Sequence, residues 1–225
     1  MLALRAAAAI LLCAAAAGPA LAQDEDAQLW TSSTAEIGLD DRTTLAAQFV
    51  ARFSSDAGGV SELQYQADLE RDLDGGLSLG AGYSYVPRYD RGDLVTREHR
   101  IRQQIGAELG RLLGGKVETR LRLEQRWRDD GDDVALRLRG RIMWTRPVGP
   151  DDLAVRVWHE SFLHLNDTDW AGTARYARSR SQVSLRRKFG DAITGELGYL
   201  NQYSIADSGS DQLVHAMTLA VTFDF

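Results

Sequence analysis

Through the middle of the sequence, arginine and glutamate return at every second position. Arg100 and Arg102 follow Glu98; Arg120, Arg122, Glu124 and Arg126 form an unbroken alternating run; Arg137, Arg139 and Arg141 form another; and Arg156, Glu160 and Arg180 continue the pattern. A guanidinium is a planar fork of donors that stays protonated at any relevant pH, so facing rows of Arg and Glu build bidentate networks where lysines would make looser point contacts. The chain uses this chemistry almost to the exclusion of lysine: Lys116 and Lys188 are its two lysines among 26 basic residues. The formal net charge of −6 gives the chain as a whole no basic footprint, so no nucleic-acid partner is expected. Four aspartates, Asp129, Asp130, Asp132 and Asp133, surround Gly131, but their spacing is not that of an EF-hand, and a solvated hairpin tip is expected there. No catalytic residues, metal ligands or cofactor are read from the sequence, and the protein is not expected to be an enzyme.

Alternation of this kind requires strands. On a 3.6-residue helix the Arg-x-Arg-x-Glu-x-Arg spacing would scatter charge around the axis and leave no apolar stripe, whereas on a strand it puts all the charge on one face. The other face is apolar throughout. Leu45, Ala47, Phe49, Ala51 and Phe53 alternate with Gln48 and Arg52; Leu63, Tyr65, Ala67 and Leu69 with Glu62, Gln64, Gln66 and Asp68; Leu77, Leu79, Ala81, Tyr83 and Tyr85 with Ser78, Gly80, Gly82 and Ser84. The segments run to about 10–13 residues, longer than the strands of ordinary globular sheets and close to the length of a tilted membrane-crossing strand. Their connections alternate between short turns, such as Asp74-Gly75-Gly76, and longer Asp-rich loops near 88–96, 128–132, 164–175 and 204–212. Trp127, Trp144, Tyr83, Tyr85, Tyr199 and Tyr203 suit aromatic girdles at two membrane interfaces.

The ends of the chain give the compartment. Residues 1–22 read as a cleaved secretory signal, with Arg5 in the positive region, the apolar run Ala6 to Ala17, and Ala20-Leu21-Ala22 as the small-x-small cleavage site. Cys13, the one cysteine, lies inside this segment. After residue 22 no apolar run reaches the length of a membrane-spanning helix. Leu213, His215, Met217, Leu219, Val221, Phe223 and Phe225 alternate to an aromatic terminus, the form of a C-terminal strand read by the bacterial barrel assembly machinery; Leu219, Val221, Phe223 and Phe225 are the assembly-signal candidates. The expected protein is an all-β, antiparallel transmembrane β-barrel over residues 23–225, in the outer membrane of a Gram-negative bacterium. Its expected partners are outer-membrane lipid, lipopolysaccharide and, during biogenesis, the assembly machinery. Eleven segments are counted from Leu29. Bacterial single-chain barrels have even strand numbers, so 10 or 12 strands are expected, with Leu29–Leu39, whose two faces differ little, the weakest segment.

Several stretches resemble the bacterial family known as domain of unknown function 2490: Leu29-Trp30, Glu98-His99-Arg100-Ile101, the run Arg120 to Arg126, Arg137-Leu138-Arg139, Glu160-Ser161-Phe162-Leu163, Gly198 to Tyr203 and Phe223-Asp224-Phe225. The resemblance spans nearly all of residues 23–225. It implies an outer-membrane barrel and supplies no activity. With the apolar face toward lipid, the arginine face lines the lumen. The expected function is a small passive anion-preferring channel; the alternatives are a structural barrel with a plugged lumen and, from another class, a lipid-acting hydrolase. The last rests on His159 and Ser161, two apart on one face. They are similar to the His-x-Ser of outer-membrane phospholipase A, without the Asn-Gly that follows the serine there and without an evident orienting partner.

Overall fold

A computed structural model describes residues 23–149 and 152–225; the expected signal segment, 1–22, lies outside the described residues. The alternating segments become eleven strands: β1 (Gln23–Asp40), β2 (Thr43–Ser54), β3 (Gly59–Asp72), β4 (Leu77–Asp90), β5 (Asp93–Leu112), β6 (Gly115–Arg128), β7 (Ala135–Pro147), β8 (Leu153–His164), β9 (Tyr176–Phe189), β10 (Ile193–Ser204) and β11 (Asp211–Asp224). Each pairs with its sequence neighbours and β1 pairs with β11, which closes a barrel. The described residues contain no helix.

The expectation of 10 or 12 strands is corrected to eleven, and the expectation of a wholly antiparallel sheet is corrected with it. Strand directions cannot alternate around a ring with an odd number of members, so one contact must be parallel. That contact is β1–β11, with Gln23 level with Asp211 and Glu36 level with Asp224. The weakly patterned Leu29–Leu39 is fully in the wall, bonded to β2 on one edge and β11 on the other. Its two faces look alike because each mixes apolar and polar residues: inward, Trp30 packs with Leu200, Val214 and Ala216, with Trp158 against them, beside Ser32, Thr34 and Glu36, and outward Thr31 and Ser33 stand between Leu29 and Ile37. The parallel contact also sets the described chain's two ends at opposite mouths. Gln23 lies at the mouth of the longer connections, and Phe225 at the other, where its N–H donates to the Glu36 carbonyl.

The expected loop at 88–96 is also replaced by structure. β4 and β5 run on to Asp90 and Asp93 and turn through Arg91-Gly92. Both turn residues have positive φ, 49° and 90°, the conformation that lets a two-residue turn follow the right-handed twist of the strands. Leu113-Gly114 repeats this at the other mouth, with φ of 49° and 78°.

The barrel inverts the usual distribution of polarity. Phe49, Tyr65, Leu79, Ile101, Ile105, Leu121, Ile142, Val183, Leu185, Leu197, Met217 and Leu219 are all exposed on the exterior. The buried side chains of the lumen are mostly charged or amide-bearing. The lumen of an eight-stranded barrel is just filled by ordinary side chains, and diameter grows with strand number. Eleven strands therefore need long side chains to meet across the middle, which arginine and glutamate provide.

Candidate functional site

All thirteen expected lumen residues face the interior on β5 to β9, and twelve of them are drawn into several hydrogen-bonded clusters. Carboxylates are the nodes of most of them. Glu98 is completely buried and accepts from Arg100 Nε at 2.7 Å and Arg126 Nε at 2.6 Å. Glu124, also completely buried, accepts from Arg137 Nε and Arg139, both at 2.7 Å. Glu160 accepts from Arg120 at 2.6 Å and Arg139 at 2.7 Å, so Arg139 bridges two glutamates. Arg102 binds Asp68 at 2.8 Å, Arg156 binds Glu196 at 2.8 Å, and Arg122 and Arg180 donate to the amide oxygens of Gln104 and Gln202. Arg141 stands apart. It lies level with Arg120 on one side and Glu160 on the other, and its guanidinium makes no hydrogen bond or ion pair among the described residues.

The strand register explains this surplus. Residues level with each other across an antiparallel pair have adjacent side chains, and the β6–β7 register sets Arg120 level with Arg141 and Arg122 level with Arg139. Four guanidiniums thus meet on two strands, and among the described residues only Glu124 and Glu160 lie within ion-pair reach of any of them. The Nε atoms of Arg120 and Arg139 are buried without a partner. Room for this crowd comes from β4, whose lumen face carries Ser78, Gly80, Gly82 and Ser84. A Cβ at Gly82 would collide with the Asp68 side chain and one at Gly80 with Gln104.

Glu62, expected on the charged face, is held by Arg52, also expected there, at 2.8 Å and by Arg88 at 3.0 Å. Arg88, Phe162 and Trp30 were not among the expected lumen residues. Arg88 was hidden in the expected loop, although it shares the parity of Ser84 and Val86. Phe162, 1% exposed, is an aromatic hub: Arg139 and Arg180 lie 4.7 and 4.8 Å from its ring centre. Arg52 stacks on Trp30 at 3.9 Å. Parity could have found these rings, since Phe162 is in phase with Glu160, and Trp30 with Glu36.

The lumen's free space among the described residues includes three cavities. The central one, about 340 Å³, is lined by ten arginines and only four carboxylates, Glu62, Asp68, Glu160 and Glu196. Arg120 and Arg141 separate it from a cavity of about 440 Å³ at the short-turn mouth, where Glu70, Glu108, Lys116 and Glu118 gather. Phe162, Arg137 and Arg178 separate it from one of about 150 Å³ at the other mouth. Above that mouth the connections after β6 and β8 dock on each other. The Asp169 carboxylate accepts from the backbone of Asp132 and Asp133, and Trp170 lies 4.9 Å from Arg126 and 4.8 Å from Arg128. The aspartate cluster is spent on this docking and on capping. Asp129 accepts the Arg97 backbone N–H at 2.8 Å, which with the Arg97 guanidinium holds its carboxyl below the usual carboxylate range. Among the described residues no group of three or more His, Cys, Asp or Glu is arranged to hold a metal ion.

On the exterior, Leu219, Val221, Phe223 and Phe225 form one exposed ridge of β11, with Phe225 79% exposed. Each exterior histidine has a partner: His99 with the Tyr83 hydroxyl, His215 with that of Tyr199, and His159 with Ser161 and Ser181.

Fold and site together define a closed eleven-stranded barrel with an apolar exterior and an arginine-dominated lumen. Residues 27–213 match the family described as protein of unknown function (DUF2490), and the chain belongs to that family. An uncharacterized protein of Methylorubrum extorquens is 32% identical over 197 residues, 87% of this chain and 86% of that one. Among solved structures, LpxR from Salmonella typhimurium is similar with a TM-score of 0.48 at 9% identity, over 80% of this chain and 83% of that one. The translocator domain of the autotransporter NalP from Neisseria meningitidis is similar with a TM-score of 0.43 at 14% identity, over 79% and 72%.

Proposed function

We propose that the protein is a bacterial outer-membrane barrel that acts as a narrow, passive, anion-preferring channel. Its apolar belt meets lipid and lipopolysaccharide, and the β11 ridge ending at Phe225 is the signal read by the barrel assembly machinery. The observation that carries the channel reading is the central cavity with ten arginines against four carboxylates. Glu98 and Glu124 behind the lining pair with Arg100, Arg137 and Arg139 and still leave an arginine surplus; surplus charge in a narrow low-dielectric passage raises the local concentration of counter-ions, and rings of arginine favour anions. The belt supports the membrane setting, because an apolar band around a barrel with a polar interior is what a bilayer requires.

A second reading, a sealed structural barrel, is favoured by the complete burial of Glu98 and Glu124 and by the side chains that divide the lumen into three cavities. Vesicles loaded with a chloride-sensitive dye separate the two. The channel reading expects chloride entry through the refolded barrel, faster than potassium entry. A folded barrel that passes neither ion establishes the sealed reading, and preferential potassium entry overturns both.

A further inference from the structure

The exterior belt is mostly apolar; Gln103, Gln125, Asn201 and two His–Tyr pairs interrupt it, and at one place its polar groups form a longer hydrogen-bonded chain. On β8 and β9, where Ile142, Leu163, Val183 and Leu185 make up the surrounding wall, the outward positions also include His159, Ser161, Ser181 and Tyr176. Polar groups facing lipid are costly, and an ionisable residue held there points to function by default. Under the membrane setting proposed above, these residues need an explanation that the lumen does not give.

Their geometry supplies one. Ser161 Oγ lies 3.3 Å from His159 Nε2, and His159 Nδ1 lies 2.9 Å from Ser181 Oγ. With the proton on Nδ1, the imidazole donates to Ser181 and its Nε2 accepts from Ser161, the relation of nucleophile, base and orienting group. The Tyr176 hydroxyl is 3.3 Å from Ser161 Oγ, a donor beside the point where an acyl oxyanion would form. Gly140 lies level with Ser161 across β7–β8, and a Cβ there would meet nothing within 4 Å, which leaves open space at the serine. The histidines of the other two pairs each meet a tyrosine and no serine. Ser161 is three residues from the end of β8, roughly 10 Å along a strand at about 3.3 Å per residue.

We propose that Ser161, His159, Ser181 and Tyr176 form an ester-hydrolysing site on the lipid-facing wall, acting on acyl esters of membrane lipids. Ser161 Oγ attacks the ester carbonyl while His159 Nε2 takes its proton, and the Tyr176 hydroxyl donates to the oxyanion. The ester C–O bond breaks, and the leaving alkoxide receives that proton. Water then attacks the acyl-serine and gives a proton to His159, which returns it to Ser161 Oγ, so one ester and one water yield a fatty acid and an alcohol. Ser181 is a positioning residue that holds the imidazole.

The test uses the refolded full-length barrel in detergent, its folding checked by heat-dependent gel mobility. A fluorophosphonate probe is mapped by mass spectrometry, and fatty-acid release is measured from mixed micelles of dioleoylphosphatidylethanolamine. The proposal expects probe on Ser161, and release lowered by about 100-fold or more in Ser161→Ala and His159→Ala, since a positioned base contributes about 10²–10⁴. In Ser181→Ala release slows with a changed pH profile and Ser181→Thr restores it, while Ser179→Ala behaves as wild type. A folded wild-type barrel that neither takes the probe nor releases fatty acid, or a Ser161→Ala protein that keeps its activity, overturns the proposal. Neither readout depends on ion conduction, so the channel reading stands or falls separately.

Discussion

Replacing Glu124 with Gln isolates the largest electrostatic demand that the lumen makes on the fold. Glu124 is completely buried and binds Arg137 and Arg139, each at 2.7 Å. After the substitution Arg139 keeps Glu160 at 2.7 Å; Arg137 keeps no carboxylate, only the Phe162 ring at 5.5 Å. Breaking one partner from a buried pair costs about 3–5 kcal/mol. The glutamine carbonyl still accepts one hydrogen bond from a charged donor, which returns about 1–2 kcal/mol. The expected loss is therefore about 1–4 kcal/mol, or roughly 5- to 700-fold in the folding equilibrium at about 1.4 kcal/mol per tenfold. Urea titration of the vesicle-refolded barrel, followed by tryptophan fluorescence, reads this as a lower midpoint at unchanged slope. The exposed pair Arg42–Asp74, 3.1 Å apart, is the control, and Asp74→Asn should move stability by less than about 0.5 kcal/mol. If Glu124→Gln is as mild as Asp74→Asn, the lumen is wet enough to solvate Arg137 and the network is not holding the barrel together.

Other consequences follow from particular contacts. Ser33 and Val221 are level across the parallel β1–β11 contact, and Cys13 is the chain's one natural cysteine, so Ser33→Cys with Val221→Cys should cross-link on oxidation of the barrel; a free pair of thiols would contradict the parallel closure. Phe162→Ala removes the ring between the central cavity and the mouth of the longer connections, and should cost about 3–5 kcal/mol while raising conductance, measured in a planar bilayer; unchanged conductance would remove Phe162 as a constriction. The Asp129 carboxylate is stabilised in the fold, so its cap on the Arg97 N–H is present at neutral pH and disappears only as pH falls through its depressed pKa. Hydrogen exchange at Arg97 should therefore stay protected from pH 7 to about pH 5, above the ordinary Asp range of about 3.9, and loss of protection within that window would contradict the assignment.

Most of the wall was legible in the sequence because strand parity converts directly into inside and outside. Arg120, Arg122, Glu124 and Arg126 share a face at any barrel size, and the segments with one charged and one apolar face became strands close to their expected limits. Parity carries no information about closure, however. β1 has similar residues on its two faces, with inward Trp30 meeting an apolar patch of lumen and small polar residues, Thr31, Ser33, Ser32 and Thr34, on both sides, so the strand that makes the count odd was also the one whose pattern was faintest. Partners across strands were hidden for a related reason. The surplus of guanidiniums depends on Arg120 standing level with Arg141, and the orienting group for His159 comes from Ser181, 22 residues away on the next strand. Register fixes both, and spacing along one strand fixes neither.

The most direct test of the lumen's role is the zero-current potential of single barrels in a planar bilayer under a tenfold potassium chloride gradient, comparing wild type with Arg122→Glu and Arg141→Glu combined. The Arg122 guanidinium binds only an amide and that of Arg141 has no hydrogen-bonding partner among the described residues, so reversing both changes the lumen charge with little loss of ion pairing. The account predicts a wild-type potential displaced toward chloride and a variant displaced toward potassium. A cation-selective wild type, or a potential that the two reversals leave unmoved, would contradict it.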